Sequence, residues 1–169
     1  MPTKIVLSVL LIAVFAFLDA SPLLSANAVV PNSSALAAAS DEFEVFDRVN
    51  RERTKIGLRN LEWDDEAALV ARTYSQRMAR EGFFDHIDPD GNSVVERAER
   101  SRLRRWSMIG ENLFECSSYD GYTRLAVSGW LRSPSHRQNM LDRRWTSTGI
   151  GIARGRDGSI FVTQVFLEN

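Results

Sequence analysis

Two histidines and one glutamate are the side chains in this sequence best suited to act together chemically. His86 and His136 are the only histidines in the chain, and Glu111 lies between them. A neutral imidazole can bind a metal or exchange a proton near neutral pH. Two imidazoles and a carboxylate could hold zinc with a fourth position left for water, or could form hydrogen bonds to an uncharged ligand. Spacing alone does not decide between these functions and a purely structural role for each side chain.

The segment around His86 predicts a turn with a defined backbone. Residues 88–91 read Asp-Pro-Asp-Gly, and proline and glycine in this order are typical of a turn. We expect the adjacent Phe83 and Phe84 to be buried, because apolar contacts would anchor the turn. His86 is therefore predicted to lie in an anchored loop.

The segments around the other two residues also have local backbone signals. Ser133 and Pro134 predict the N-cap and first position of a short helix, which places His136 in its first turn. Gly110 precedes Glu111 and allows the backbone to approach a neighbour closely. All three candidate residues thus lie where the chain direction is constrained.

The rest of the chain predicts five helices followed by a β-hairpin. Apolar residues at helical spacing, together with capping residues, predict the helices. The predicted helix starts are Asp41, Asp64, Ser93, Asp120 and Ser133. Residues 149–152 and 160–166 are typical of strands, and Asp157-Gly158 between them indicates a hairpin. Helices without alternating β-α-β units predict an α+β domain with an antiparallel sheet.

The N-terminal segment predicts export from the cytoplasm. Lys4 is followed by an apolar run over residues 5–18 and then by Ala26-Asn27-Ala28, the order of a secretory signal peptide. A membrane span needs about 20 apolar residues, so no stable span is expected after cleavage; an uncleaved anchor is the alternative. The predicted divisions are a signal peptide at 1–28, a disordered linker at 29–40 and a folded domain at 41–169.

Composition excludes several classes of function. With 21 Lys+Arg against 22 Asp+Glu in 169 residues, the chain lacks the basic excess of nucleic-acid-binding proteins. Its single cysteine, Cys116, excludes an intrachain disulfide and a thiolate-rich zinc site, and we expect it to be a small buried side chain. Five arginines lie within 97–105, where Glu96 and Glu99 interrupt them. We therefore expect these arginines to form a solvated face.

A series of short motifs runs through residues 43–168. The motifs are Asn50-Arg51-Glu52-Arg53, Leu61-Glu62-Trp63-Asp64, Phe84-Asp85-His86 with Asp90-Gly91, Gly110-Glu111-Asn112, Trp130 through Leu141, Gly149-Ile150-Gly151-Ile152 and Gln164-Val165-Phe166. Their types and order resemble the CAP superfamily, which comprises cysteine-rich secretory, antigen 5 and pathogenesis-related 1 proteins. The likeness is strongest to its small secreted bacterial branch, and the segment from Trp130 to Leu141 is the most specific part.

The resemblance implies a three-layer α-β-α sandwich with a central antiparallel sheet. It also implies an open cleft lined by two histidines and two glutamates, which takes a divalent metal in some relatives. His86, Glu111 and His136 match three of these four positions. Ser133 stands where the second glutamate is usual, and this change removes a proton acceptor and electrostatic support for a metal. The family's disulfides are absent.

We therefore expect a secreted domain whose cleft binds a ligand or a divalent cation such as zinc at or outside the cell envelope. The resemblance permits a small molecule, a lipid or an envelope component as partner. A metal-assisted hydrolase is one alternative, with Glu111 as third metal ligand or as general base. An adhesion domain with an incidental cleft is another. Against the hydrolase stand the missing second glutamate and the absence of a Ser or Cys nucleophile beside a histidine in a recognisable motif. Enzyme activity stays open.

Overall fold

The structure is a computed structural model that describes residues 33–101, 103–117 and 120–169. The elements in these ranges are α1 Ser33–Lys55, β1 Glu62–Trp63, α2 Asp65–Glu81, α3 Val94–Arg100, β2 Met108–Cys116, α4 Tyr122–Arg132, α5 Pro134–Met140, β3 Ser147–Arg154 and β4 Ile160–Glu168. The predicted signal peptide at 1–28 lies outside the described residues. In the described ranges, no helix has the length and apolar character needed to cross a membrane.

The strands form one sheet in the order β1-β3-β4-β2. Strands β2 and β3 both run antiparallel to β4, with Glu111 opposite Val165 and Gly151 opposite Thr163. The two-residue β1 joins β3 in parallel, so the sheet is mixed at that edge. The predicted antiparallel sheet is confirmed for the three long strands, while β1 and β2 were not predicted. Strand β2, which carries Glu111, forms the opposite edge.

Helices cover both faces of this sheet. Gly151 of β3 faces α2 so closely that a Cβ there would lie 2.0 Å from the Arg72 nitrogen. Its neighbour Ile150 points to the other face, because side chains alternate along a strand, and packs in the core of α1, α4 and α5. Ala98 of α3 shares the core of α2. These contacts confirm the three-layer sandwich. Cys116 is half-buried against the core of α1, α4 and α5.

Local sequence signals define several helix ends. Asp64 caps α2 by accepting a hydrogen bond from the Ala67 nitrogen at 2.7 Å. Gly82 ends the same helix with φ 70°, a left-handed conformation that glycine adopts without strain. Ser93 and Glu96 form the predicted capping box of α3. These predictions are confirmed. Each depends only on residues within one helical turn.

Helix α1 begins earlier than its capping pattern predicts. The sequence predicts a start at Asp41, whereas the helix begins at Ser33. Residues 33–40 are therefore helical, and the prediction of a linker is corrected for them. The alanines in this segment have high helix propensity, and they extend a helix that Val45 and Val49 anchor in the core.

Candidate functional site

Polar side chains from two helices hold the loop that carries His86. Tyr74 of α2 donates its hydroxyl hydrogen to the Asp85 carbonyl oxygen. Arg97 of α3 donates to the His86 carbonyl oxygen at 3.1 Å. Phe84 is 44% exposed, so the prediction that it is buried is wrong. The loop is anchored by hydrogen bonds at these positions, and Phe84 lies at the surface with its ring centre 6.4 Å from that of Phe161.

Glu111 is the buried carboxylate at the centre of the site. Its side chain is only 3% exposed. The Oε1 atom lies 2.8 Å from His86 Nδ1, and Oε2 accepts a hydrogen bond from Arg97 Nη2 at 2.7 Å. A buried carboxylate needs such partners, because removing an unpaired charge from water is costly. Both carboxylate oxygens of Glu111 are therefore engaged.

Arg97 is the functional residue that sequence reasoning missed. Its side chain is 10% exposed, and its guanidinium carbon lies 3.4 Å from the centre of the Tyr74 ring. The predicted solvated face is thus wrong for Arg97. Its helical spacing from Val94 and Ala98 puts it on the core-facing side of α3, a signal that the sequence does contain. Burial raises the pKa of Tyr74 to about 12, so this ring stays neutral under Arg97.

His136 reaches the same sheet edge from the opposite helix layer. Its Nδ1 lies 2.9 Å from the Ser133 hydroxyl oxygen, so this N-cap side chain contacts the imidazole and makes no cap hydrogen bond. The His136 carbonyl oxygen accepts from Asn112 Nδ2 at 3.0 Å. Asn139 of α5 donates to the Glu111 carbonyl oxygen, also at 3.0 Å. These bonds attach α5 to strand β2.

A buried arginine fixes the C-terminal end of α5. Arg53 of α1 is fully buried and donates to the carbonyl oxygens of Met140 and Asp142 at 2.9 and 3.0 Å. Burial lowers the pKa of Arg53 from its ordinary value, but a guanidinium keeps its proton. The short helix that carries His136 is thus held at both ends, by β2 and by α1.

The two imidazoles meet at the edge strand β2. Their ring centres are 6.3 Å apart and their planes are inclined by 36°. Alternation along β2 directs Glu111 toward the layer of α2 and α3, and Asn112 toward the layer of α4 and α5. The structure therefore brings together all three residues that the sequence singled out, His86, Glu111 and His136.

The pKa values of the two histidines are shifted in opposite directions. The hydrogen bond to Glu111 raises the pKa of His86 above its ordinary value, although burial opposes this effect. Burial lowers the pKa of His136, and the charge of His86 lowers it further. In both rings a protein group holds Nδ1, and we find no partner for either Nε2 among the residues that the structure describes.

The site resembles the ligand set of a metal ion only in part. A tetrahedral zinc bound by two Nε2 atoms at normal Zn–N distances would place the ring centres about 5 Å apart. The observed 6.3 Å is wider. In the part of the chain that the structure describes, no group of three or more His, Cys, Asp and Glu could hold a metal ion. Glu111 instead occupies the position of a carboxylate that orients a metal-binding histidine through its other nitrogen.

Comparison with known proteins decides the family. A model of the cysteine-rich secretory protein family, the CAP family, matches residues 46–166 of the chain. The chain belongs to the CAP family. This match confirms the resemblance drawn from the motifs and covers every residue of the site described above.

Two relatives come from Bacillus subtilis. An uncharacterized membrane protein, YlbC, is 33% identical over 129 residues, which is 76% of this chain and 35% of YlbC. An uncharacterized protein, YkwD, is 29% identical over 132 residues, which is 78% of this chain and 49% of YkwD. The chain therefore spans less than half the length of either relative.

Solved structures show the same fold. An extracellular protein of Bacillus anthracis containing an SCP domain has a TM-score of 0.72 and 29% identity, over 83% of this chain and 44% of that protein. An outer surface protein of Borrelia burgdorferi has a TM-score of 0.69 and 20% identity, over 77% of this chain and 93% of its own. The second likeness shows the fold alone. By description, both neighbours are located outside the cell or at its outer surface.

Proposed function

We propose that this CAP domain is a binding domain that acts at or outside the cell envelope, with His86 and His136 contacting the ligand. The observation that carries the proposal is the pair of imidazoles, 6.3 Å apart, each held at Nδ1 by Glu111 or Ser133. Holding Nδ1 orients the ring and directs Nε2 to a ligand. The outside location is supported by the description of the Bacillus anthracis neighbour as an extracellular protein.

The ligand that we propose is a divalent cation such as zinc, or a small molecule with hydrogen-bonding groups. When His86 donates its Nδ1 hydrogen to Glu111, its Nε2 carries a lone pair that can bind either ligand. His136 is predominantly neutral at pH 7, because its pKa is lowered. A cation would require the rings to move closer. The His86 side chain is 52% exposed, so this imidazole is the ring with room to move.

The same geometry argues against Glu111 as a general base. Its carboxylate is almost fully buried, with His86 at one oxygen and Arg97 at the other, so a water molecule has little access to it. Glu111 is better suited to position His86. The hydrolase alternative therefore receives less support than binding, and lipid or envelope partners belong to the binding proposal.

Zinc titration of the full chain tests the cation form of this proposal. We expect one zinc ion per chain by calorimetry and by elemental analysis, and none after the joint substitutions His86→Ala and His136→Ala. Arg137→Gln is a matched control, because Arg137 adjoins His136 but lines a different depression, beside Ile56 and Leu131. Zinc retained by the doubly substituted protein would refute the cation site.

Two further outcomes would favour the alternatives. A hydrolytic activity that disappears in Glu111→Gln while zinc binding persists would favour the metal-assisted hydrolase. Capture of the same envelope components by the parent and the doubly substituted protein would favour an adhesion surface elsewhere on the domain. Each outcome can be read independently, because Glu111→Gln leaves both imidazoles in place.

A further inference from the structure

A depression of about 640 Å³ lies beside α5, where α1 and α4 end. Its lining combines apolar and charged side chains, which include Ile56, Leu131, Leu141, Arg132, Arg137 and Asp142. Ile56 is 54% exposed, so part of the apolar lining is open to water. Neither His86 nor His136 lines this depression, which we call the basic depression.

Two arginines give the basic depression its charge. Arg132 and Arg137 are exposed, and neither side chain has a hydrogen-bond or ion-pair partner among the residues that the structure describes. Asp142 does not compensate for them, because Arg144 binds its carboxylate at 2.5 Å. Residues 121–141, which form most of the lining, contain three arginines and no Asp or Glu. The depression therefore fits a partner that combines an apolar group with negative charge.

A second surface of the same chain has the opposite charge. Phe43 of α1 is 46% exposed and packs on the Trp63 ring of β1, with ring centres 4.5 Å apart. Asp47 lies one helical turn after Phe43 and is exposed. Asp65 is also exposed and accepts a hydrogen bond from Trp63 Nε1 at 2.9 Å. We call Phe43, Asp47, Trp63 and Asp65 the acidic aromatic patch.

The charge of this patch is not cancelled by its surroundings. In the described ranges, the Asp47 carboxylate has no hydrogen-bond or ion-pair partner. The Asp65 carboxylate contacts the indole of Trp63, which is neutral. Arg72 lies within electrostatic range of Asp65, but it is already paired with the buried Glu42 at 2.6 Å. Both carboxylates of the patch are therefore available to a partner.

The two surfaces lie on different sides of α1. Glu44 accepts a hydrogen bond from Thr123 of α4 at 2.9 Å, so this side of α1 faces the layer that contains the basic depression. The preceding residue, Phe43, faces β1 through Trp63. Adjacent residues point about 100° apart around a helix, which separates the two directions. One copy of the chain can therefore use both surfaces at once.

We propose that the basic depression of one copy of this chain receives the acidic aromatic patch of a second copy. The aromatic rings of the patch would cover the apolar lining. Its two carboxylates would lie at Arg132 and Arg137, whose guanidinium groups match carboxylate geometry. Because the two contacting surfaces differ, the association is head-to-tail and can add further copies. It does not depend on the function proposed for the two histidines.

Sedimentation velocity of the full chain over a range of concentrations tests this proposal. Two small patches form a transient interface, so we expect the average mass to rise with a dissociation constant on the order of 0.1 mM at about 20 mM salt. At about 1 M salt the association should weaken at least about tenfold, because the Debye length is then only about 3 Å. A chain that stays monomeric at millimolar concentration in low salt would overturn the proposal.

Charge reversal identifies the two surfaces. The joint substitutions Arg132→Glu and Arg137→Glu should weaken self-association at least about tenfold, because they place like charges opposite one another. Asp47→Arg with Asp65→Arg should have the same effect. An equal mixture of these two variants should associate again, since every contact between unlike copies then joins opposite charges. A mixture that stays monomeric would show that the two surfaces do not contact each other.

The matched control is Arg104→Glu with Arg105→Glu, which changes the net charge as much as the arginine variant does but lies outside both surfaces. It should leave self-association unchanged, and equal weakening by this control would overturn the proposal. The remaining alternative is a foreign acidic partner. A monomeric parent protein whose Ile56 and Leu131 amide signals shift on addition of the peptide acetyl-Asp-Trp-Asp-amide would favour that partner and overturn self-association.

Discussion

Replacing Arg97 tests the architecture of the site most directly. The substitution Arg97→Met removes the guanidinium but keeps an unbranched apolar chain over the Tyr74 ring. It deletes the hydrogen bond to Glu111 Oε2 at 2.7 Å and those to the carbonyl oxygens of His86 and Asn92 at 3.1 and 2.8 Å. Glu111 would then keep only His86 as a side-chain partner, with its carboxylate still buried.

The size of the effect follows from burial. Removing one partner of a buried ion pair costs about 3–5 kcal/mol. His86 can offset part of this loss, because it already contacts Glu111 and its pKa is raised, so it is the group that can supply a positive charge. We therefore expect the free energy of unfolding to fall by about 3 kcal/mol, the lower end of that range. A solvated arginine would change it by at most about 0.5 kcal/mol.

Urea unfolding followed by tryptophan fluorescence at pH 7 measures this difference. The matched control is Arg105→Met, which removes an exposed arginine from the same segment. The joint substitution Arg97→Met with Glu111→Gln should recover part of the lost stability, because it removes both charges of the pair. An Arg97→Met protein as stable as the Arg105→Met control would refute the buried ion pair. Strictly additive losses in the joint variant would refute coupling between Arg97 and Glu111.

Three further substitutions test the sheet packing and the two imidazoles. Gly151→Ala places a Cβ 2.0 Å from the backbone of α2, and thermal unfolding should show the free energy of unfolding lowered by about 3 kcal/mol, the upper end of the usual cost of overpacking. Glu111→Gln should lower the pKa of His86 in an NMR titration, because its hydrogen bond is the main cause of the raised value. A protonated histidine does not bind metal, so the loss of zinc on acidification should then occur at lower pH. Ser133→Glu puts a carboxylate near His136 Nδ1, which should raise the pKa of His136 and tighten zinc binding in calorimetry.

Each of these predictions has a result that would contradict it, and Gly151→Ala also has a control. Gly129→Ala should not destabilise the protein, because its Cβ would lie 3.4 Å from its nearest neighbour, an ordinary contact distance. A Gly151→Ala protein with the same melting temperature as Gly129→Ala would disprove the close contact at Gly151. An unchanged pKa of His86 in Glu111→Gln would rule out the cause assigned to its shift. If Ser133→Glu alters neither His136 nor zinc binding, the side chain at 133 does not act on this imidazole.

Patterns confined to a few neighbouring residues predicted the structure well. The Ser93 and Glu96 capping box, the Gly82 helix end and the proline at the start of α5 all appear as expected. The hairpin at Asp157-Gly158 joins β3 to β4 in antiparallel register. Each of these features depends on the conformational preferences of adjacent residues, which are the same in any fold.

Strand β2 was missed because its pattern depends on a distant partner. A half-buried strand is recognised by alternation of apolar and polar residues, but here Ile109, Glu111 and Leu113 share one face. A carboxylate on a buried face obscures the alternation. It is tolerated because Arg97 and His86, which lie outside this strand, each contact one of its oxygens.

From the sequence alone came the family, the α+β class, most helix ends and the three residues of the site. The tertiary structure decided how these residues are paired. It placed β2 at a sheet edge, where side chains from both helix layers meet, and it paired Glu111 with Arg97 and His86. The physical reason is that burial of a charge is decided by groups distant in the chain. Which histidine gains a proton more readily is therefore a property of the fold and not of local sequence.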